Sequence, residues 1–425
     1  MENKIYRLSC LLIILCFSSI FIISLFKIIN SWSFSQANLN YAAGFVKRGF
    51  FGTVMLFFEN NFKVPRSSFF SIFFIILTSL NIFLFFRIIT ILKRYWILLL
   101  YLVFNPALLL FSFNDIGGYQ RFDSISVFLI LLHIFVIQKI YNNKLDFIYY
   151  KKFLIWFYFF IFISILIHEI QIFSIPFHMI ISYHILKNKS DRIISSSIFL
   201  SLIIFGIILL IFFKADAEMM KIIIKEINYN IFTDALGYAA GFDTLGYADG
   251  LGGSLNEDYL KEIKTNLLNV YNLRIHLFFI LLTLIPIFST LYFFKSKKII
   301  SNLLISNNYF YFLAIIPFFS MFIIGDVGRW INIMAFVAFG LLMTNNIKNS
   351  NNENKNKIDL ISKIILLILV IFYCLFTRVP HCCDLQKYKI NIYGGLLSKF
   401  VVGGQLLLET DDDYFNLNKR FPLQN

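Results

Sequence analysis

Three short polar segments, each lying between two apolar stretches, place histidine and carboxylate side chains that could act as acids or bases directly beside apolar spans. They are FNDIGGYQRFD at 113–123, the dipeptide His168-Glu169, and GDVGRW at 325–330. Histidine and carboxylates can transfer protons, and ionisable groups beside membrane spans are costly enough to be functional candidates. The alternative is that these groups pair with one another and cap turns. The candidate catalytic residues are His168, Glu169, Asp326, Asp115 and Asp123.

A fourth segment, YAAGFVKRG at 41–49, combines a tyrosine, glycines and a Lys-Arg pair. Arginine offers a planar fork of donors that suits phosphate oxygens, and lysine adds a point charge. YAAGF recurs at 238–242, which suggests a second Tyr/Gly turn that contacts similar groups, such as sugar rings. The alternatives are snorkelling of the basic side chains at the interface and a simple linker around the second turn. The candidate substrate-binding residues are Lys47, Arg48, Arg121, Arg329, Trp330, Tyr41 and Tyr238.

Other kinds of site are not indicated. The sequence has no HExxH, P-loop or GxSxG motif and no Cys/His array with metal-ligand spacing, so we expect neither a metal nor a cofactor. The net charge of +14 is not concentrated in a basic, aromatic-rich soluble tract, which argues against binding to nucleic acid. In a membrane protein such a charge more often reflects basic anchors at span ends and attraction to anionic lipid.

The elements that must position these residues are transmembrane helices. The chain is 59% hydrophobic, has a mean hydropathy of +0.75 and contains 54 Phe in 425 residues, which predicts an all-α, polytopic integral membrane protein with a single membrane domain at 1–425. We predict about eleven spans, near 8–29, 68–92, 95–112, 123–140, 153–167, 172–186, 193–213, 274–294, 308–324, 331–346 and 359–377.

Basic clusters follow every second span, so the positive-inside rule predicts an inner N-terminus and an outer C-terminus. The large outer segments are then 30–66, 214–272 and a tail at 378–425. An amphipathic stretch at 215–230 is expected to lie along the membrane interface. The apolar run 153–186 would be about 50 Å long as one helix, which exceeds a bilayer core, so we predict a tight hairpin with His168 and Glu169 at its tip. The polar segments would then all lie at the outer face.

This pattern of many Phe/Ile/Leu-rich spans, large outer loops and Arg, His and acidic residues at the outer face resembles the bacterial O-antigen and capsule polysaccharide polymerases of the Wzy type. The resemblance covers the whole chain and is architectural. It implies transfer of a growing glycan from undecaprenyl pyrophosphate to a lipid-linked repeat unit, at the periplasmic face of the inner membrane, without nucleotide or metal. It also implies lipid-linked oligosaccharide and membrane lipids as partners, together with a flippase and a chain-length regulator.

Carried over to this sequence, the resemblance implies that Arg48, Arg121 and Arg329 hold the pyrophosphate leaving group. One of His168, Glu169, Asp115, Asp123 and Asp326 would then activate the acceptor hydroxyl.

The chain also resembles, less closely, the GT-C membrane glycosyltransferases that use polyprenyl-phosphate sugars. That family usually carries an acidic motif in its first outer loop, where this chain has Lys-Arg and only Glu59, so Asp115 or Asp123 would have to serve instead. A flippase for lipid-linked oligosaccharide is a third possibility. Its usual features are an even number of spans and polar residues distributed through a central cavity, whereas the sequence predicts an odd number and clustering at one face.

Overall fold

The computed structural model describes residues 31–89, 102–105, 107–114, 120–141, 145–213, 215–227, 314, 317, 327–349 and 368. Within these ranges the secondary structure is entirely helical, as the composition predicts. The helices are α1 (Ser31–Ala37), α2 (Gly49–Phe62), α3 (Arg66–Ile89), α4 (Leu109–Asn114), α5 (Asp123–Tyr141), α6 (Phe147–Ile167), a 3-10 helix (Glu169–Ser174), α7 (Ile175–Ile185), α8 (Lys189–Phe212), α9 (Ala217–Lys225) and α10 (Val327–Asn349).

Four of these helices, α3, α5, α6 and α8, are long and apolar enough to cross a membrane. Their bounds agree within six residues with the predicted spans 68–92, 123–140, 153–167 and 193–213, the largest difference being the earlier start of α6. The predicted span 331–346 falls inside α10. The predicted spans 8–29, 274–294, 308–324 and 359–377 lie wholly or almost wholly outside the described residues, as do most of the large loop after residue 227 and the whole C-terminal tail.

Helix α5 lies at the centre of the described bundle and packs against both α3 and α10. Its buried face includes Ile130, Ile134 and Ile137, which join one large apolar core with residues of α3, α7 and α10. By contrast, α8 keeps many large apolar side chains on its outer surface, among them Leu200 and Phe212. That distribution is expected for a helix with one face toward lipid.

The chain breaks helical geometry at His168, where the predicted hairpin tip lies. Helix α6 ends at Ile167, and His168 adopts an extended conformation with φ −161° and ψ 118°. The imidazole Nδ1 of His168 then accepts the N–H of Ile170 at 3.2 Å, which caps the first turn of the 3-10 helix. Residues 169–185 therefore form a 3-10 helix followed by the short helix α7, in place of one regular span over 172–186.

At this end of the bundle, Phe34 of α1 and Phe51 of α2 join one apolar core with α3, α5, α6 and α8, while the segment between α1 and α2 forms a layer with α9. Met220 and Ile223 of α9 are buried against Leu39 and Val46 of that segment, while Ile222 is exposed. The apolar face of the amphipathic stretch near 215–230 thus packs on the first loop. Arg66 of α3 binds this layer to the bundle, because its guanidinium donates hydrogen bonds to Asn38, to Glu59 and to the carbonyl of Glu226.

The bundle carries charged residues at both ends. One end, called the site end below, carries Arg48, His168 and the start of α5. The basic end lies at the start of α6, about 30 Å away along that 21-residue helix. There Lys151 forms an ion pair of 2.5 Å with Asp191, and Arg192 donates to the carbonyl of Leu186 at 2.6 Å.

Candidate functional site

The centre of the candidate site is an ion pair between Arg48 and Glu169, residues that are 121 positions apart in the sequence. The guanidinium Nε donates to one carboxylate oxygen at 2.7 Å, and a terminal nitrogen donates to the other oxygen in a shorter contact. Both side chains are buried, with relative exposures of 8% and 3%. Two parallel bonds of this kind are the strongest geometry available to an Arg–carboxylate pair.

Arg48, whose side chain contacts Glu169, is the residue immediately before α2. It has φ 61° and ψ 1°, a left-handed conformation that is unfavourable for a residue with a side chain. The next residue is Gly49, where a Cβ atom would overlap the ring of Tyr41. At Gly52 a Cβ atom would overlap the backbone carbonyl of Leu39. The two glycines thus let the preceding loop lie directly on α2, and this close packing holds the strained Arg48 in place.

A second ion pair lies at the same end of the bundle. Arg329, near the start of α10, donates to both oxygens of Asp123, the first residue of α5, at 2.5 and 2.8 Å. Asp123 is buried, while Arg329 is partly exposed. The pair joins segments 206 residues apart, so it links the later half of the chain to the central helix.

His168 lies between the two ion pairs. Its Nδ1 is 3.8 Å from a carboxylate oxygen of Glu169, and its ring packs near Phe122, the residue before Asp123. Burial, reinforced by the positive charge of Arg48, lowers the pKa of His168 to about 3. The imidazole is therefore neutral near pH 7. Because Nδ1 accepts the N–H of Ile170, the proton of the neutral ring resides on Nε2, which makes this nitrogen a donor.

The same surroundings control the ionisation of Glu169. Burial on its own raises the pKa of Glu169, but the Arg48 guanidinium, with smaller contributions from His168 and Lys47, holds the pKa of this carboxyl well below its usual range. Glu169 is ionised, and both of its oxygens are occupied by Arg48. In this arrangement neither Glu169 nor His168 is ready to act as a base.

Two further cations adjoin the ion pairs. Lys47, which is 2% exposed, acts electrostatically on Glu169, and Arg121 acts on Asp123. Among the described residues the site therefore contains four cations and two carboxylates. Several cations so close together favour an anionic ligand over a neutral one.

The aromatic candidates have different surroundings. Trp330 is 2% exposed and packs edge-on against Phe173 with 4.3 Å between ring centroids, so its ring faces the protein core instead of a sugar. Tyr41 is half-buried, and burial raises the pKa of Tyr41 to about 12. Its hydroxyl has no hydrogen-bond partner among the described residues, which leaves one donor beside the Arg48 turn for a ligand.

Three of the candidates, Asp115, Asp326 and Tyr238, lie outside the described residues. The structure brings together the other candidates with titratable side chains apart from Tyr41, namely Lys47, Arg48, Arg121, Asp123, His168, Glu169 and Arg329. In the described part of the chain no group of His, Cys, Asp or Glu has the arrangement of a metal site.

Sequence reasoning missed a set of polar residues inside the bundle. His133 of α5 and His178 of α7 are fully buried and lie against each other, with Tyr150 of α6 as a third member. The available signal was an ionisable side chain in the middle of a predicted span, which marks a functional candidate by itself.

Comparisons with known proteins give no relative from which a role could be transferred: no family model, no curated protein and no solved structure matches this chain.

Proposed function

We propose that this protein is a membrane glycosyltransferase that transfers lipid-linked glycans, and specifically that it polymerises undecaprenyl-pyrophosphate-linked repeat units of an O-antigen or capsule. It would do so at the periplasmic face of a bacterial inner membrane, with about eleven spans and the site end of the bundle on the outside. The observation that carries the proposal is the pair of two-bond Arg–carboxylate contacts on either side of neutral His168, at one end of an apolar helical bundle.

The charge of the site supports a pyrophosphate ligand. A glycan linked to a lipid through pyrophosphate carries two negative charges, and the described part of the site brings four cations together, namely Lys47, Arg48, Arg121 and Arg329. Arginine binds phosphate oxygens with the same planar fork that it presents to a carboxylate. The pyrophosphate can therefore replace Glu169 on Arg48, or Asp123 on Arg329, without a change in the geometry of the guanidinium.

This replacement would link substrate binding to activation of the base. While Arg48 holds Glu169, the carboxylate is a poor base. Once a pyrophosphate replaces Glu169 as the partner of Arg48, burial has the main effect on the pKa of Glu169, and burial raises it. Glu169 then becomes basic enough to accept the proton of the acceptor hydroxyl as that oxygen attacks the anomeric carbon.

The leaving group would be stabilised by the residues that bind it. The bond from the anomeric carbon to the pyrophosphate oxygen breaks as the new glycosidic bond forms, and negative charge grows on that oxygen. Arg48 and Arg329 oppose this charge, and Nε2–H of His168 is a donor for it. His168 is thus proposed as a hydrogen-bond donor and Glu169 as the base, with Asp123, Asp115 and Asp326 as the other carboxylates available for that role.

The test begins with a strain in which the gene is deleted. Loss of the long lipopolysaccharide or capsule ladder, leaving core with a single repeat, is the expected result. Lipid-linked oligosaccharide extracted from that strain should then be lengthened by the purified full-length protein in nanodiscs, with release of undecaprenyl pyrophosphate and without added nucleotide. An unchanged ladder in the deletion strain would refute the proposal.

A full-length ladder with altered sugar content would instead identify a decorating glycosyltransferase and move the proposed base to Asp115 or Asp123. Variants assign the site. Arg48→Ala, Arg329→Ala and Asp326→Ala should each remove activity while the protein remains in the membrane. Lys151→Ala is the matched control, because it also removes a cation from an ion pair but at the basic end of the bundle. Normal activity in all three site variants would refute the assignment of the site.

A further inference from the structure

Buried polar side chains follow the facing sides of α5 and of the 3-10 helix with α7, starting just below the candidate site. On α5 they are Ser126 and His133, seven residues apart and therefore on one face of the helix. The opposite side supplies a second series with spacings of three, four and four: Gln171, Ser174, His178 and Ser182. None of these residues takes part in the ion pairs of the site.

The part of this series nearer the basic end is a continuous chain of hydrogen bonds. Ser182 and Tyr150 are joined through their hydroxyls at 3.1 Å, and the Tyr150 hydroxyl is 2.9 Å from Nε2 of His133. Nδ1 of His133 is in turn 3.1 Å from Nδ1 of His178. The chain therefore links four side chains of three helices, α5, α6 and α7.

The chain of hydrogen bonds lies between the middle of α5 and the start of α6. His133 is the eleventh residue of α5, about 15 Å below Asp123 at 1.5 Å per residue, which is near the middle of that helix. Tyr150 is the fourth residue of α6 and directly precedes Lys151 of the basic end. The side chain of Tyr150 therefore connects the start of α6 with His133 near the middle of α5.

The chain can hold its protons in two ways. If Tyr150 donates to Ser182, then His133 donates from Nε2 to Tyr150 and accepts at Nδ1 from His178. If every bond is reversed, Ser182 donates to Tyr150, Tyr150 to His133, and His133 to His178. In both cases the remaining nitrogen of His178, Nε2, has no hydrogen-bond partner among the described residues although it is buried. A chain with two such states and an open end is the arrangement needed to pass a proton along.

The part nearer the site supplies further proton-bearing groups. Ser126 donates to the amide oxygen of Gln171 at 2.6 Å, and Gln171 donates to the carbonyl of Phe122 at 3.2 Å. Ser174 lies four residues before His178, one helical turn closer to the site, and donates to the carbonyl of Gln171. One turn of helix therefore separates His178 from the next polar residue of the series.

We propose that α5, α6 and α7 enclose a proton path across the membrane, in which the His133–His178 pair is the central proton-holding point. A proton enters from the basic end through Ser182 and Tyr150, and is shared between the two imidazoles as an imidazole–imidazolium pair. It leaves from Nε2 of His178 toward Ser174 and the site end. Each transfer breaks one N–H or O–H bond as the next one forms. The passage of one proton leaves every hydrogen bond reversed, and the chain is restored once each bond returns to its first direction.

Helix packing alone does not account for this arrangement. A polar contact between helices needs only a hydroxyl pair, and the same bundle has one: Tyr158 of α6 donates to Ser195 of α8 at 2.7 Å. Placing two imidazoles in contact inside an apolar core is more costly, and here Phe157 packs against both rings and Phe177 against that of His178. A series of ionisable side chains inside a membrane is typical of proton relays.

The experiment measures proton flux. Full-length protein is reconstituted into vesicles of phosphatidylethanolamine and phosphatidylglycerol that contain potassium and a pH-sensitive dye, and valinomycin then imposes a potential. Wild-type vesicles should change their internal pH faster than protein-free vesicles. Tyr150→Phe and His133→Gln should return the rate to that of protein-free vesicles. The matched control is Tyr158→Phe, which removes the same hydroxyl from the same helix but lies outside the chain, and should keep the wild-type rate.

A wild-type rate equal to that of protein-free vesicles would refute the proposal, and so would a wild-type rate in Tyr150→Phe. Equal losses in Tyr150→Phe and Tyr158→Phe would also refute it, because they would reflect general damage to α6. If Tyr150→Phe does not fold, Ser182→Ala is the milder substitution in the same chain and should lower the rate. The outcome is independent of glycan transfer, since no lipid-linked substrate is present.

Discussion

Arg48 and Glu169 form a buried ion pair with two hydrogen bonds, in which a backbone-strained arginine at the start of α2 meets the first residue after the break at the end of α6. Neither charge is stable there alone, since removing one partner of a buried pair leaves an uncompensated charge that costs about 3–5 kcal/mol. The pair therefore holds the outer layer on the bundle, and it gives an anionic ligand a cation that is already positioned.

Glu169→Gln should separate binding from turnover. In this variant the pyrophosphate no longer has to displace a carboxylate from the Arg48 guanidinium. The affinity for pyrophosphate should therefore rise by about tenfold, equivalent to about 1.4 kcal/mol. If Glu169 is the base, glycan transfer should fall by a factor of roughly 10²–10⁴. Pyrophosphate binding to the protein in nanodiscs is measured by calorimetry, and transfer by gel analysis of the lipid-linked product.

Two further variants should be compared with Glu169→Gln. Asp191→Asn removes a carboxylate from the partly exposed pair with Lys151 and should change neither quantity, because such pairs contribute about 1 kcal/mol or less. Arg48→Ala should weaken pyrophosphate binding and transfer together. Weaker binding in Glu169→Gln would contradict the proposed exchange of carboxylate for pyrophosphate.

His168 should make the protein less stable in mild acid. The pKa of His168 is about 3 in the folded protein, against 6.5 for an unperturbed histidine. Above pH 6.5 the group is neutral in both states. As the pH falls from 6.5 toward 3, the unfolded chain binds a proton that the folded protein does not, so stability is lost at up to about 1.4 kcal/mol per pH unit. The depressed pKa of Glu169 adds a further loss below its unfolded value of 4.5.

The measurement is the thermal unfolding midpoint in detergent between pH 8 and pH 5, a range in which Glu169 is ionised in both states. His168→Asn should flatten the decline, because the amide does not titrate and its oxygen can still accept the N–H of Ile170. An equally steep decline in this variant would assign the acid sensitivity to other groups of the protein.

The long helices could be predicted from the sequence because hydropathy over some twenty residues is a strong signal. The prediction for 68–92 corresponds to α3 at Arg66–Ile89, and that for 123–140 to α5 at Asp123–Tyr141. The prediction was less accurate after His168, where a 3-10 helix replaces the start of the expected span. Hydropathy does not distinguish a 3-10 helix from an α-helix, since both keep the segment apolar.

For the candidate site, residue types were predictable and partners were not. Arg48, Asp123, His168, Glu169 and Arg329 were identified because charges beside apolar spans are costly. Which arginine meets which carboxylate depends on how α2 and α10 pack on the central helices, and one sequence contains no signal for that. The burial of Trp330 against Phe173 was missed for the same reason, because an aromatic residue beside charges suits a core as well as a sugar site.

Asp123 and Arg329 should show strong energetic coupling. Arg329→Gln leaves the buried carboxylate without its guanidinium and should destabilise the protein by about 3–5 kcal/mol, whereas adding Asp123→Asn removes that charge and should recover much of the loss. The measure is the double-mutant cycle of unfolding free energies in denaturant. Additive effects of the two substitutions would show that the contact does not stabilise the described fold.

Gly49 and Gly52 should respond differently to the same substitution. In a helix, Gly→Ala ordinarily stabilises by about 1 kcal/mol, but a methyl group at either position overlaps a neighbour. At Gly49 the obstacle is the ring of Tyr41, a side chain that can be removed, so the instability of Gly49→Ala should be relieved by adding Tyr41→Ala. At Gly52 the obstacle is the backbone carbonyl of Leu39, so the same second substitution should not rescue Gly52→Ala.

The thermal midpoint and its increase on adding pyrophosphate report this contrast, because displacement of the loop before α2 also displaces Arg48. Gly52→Ala should lower both quantities, and the double variant with Tyr41→Ala should lower them no less. If Gly52→Ala instead raised the midpoint as an unobstructed helical position would, the close packing of residues 38–48 on α2 would be contradicted. The support that this packing gives to the strained Arg48 would be lost with it.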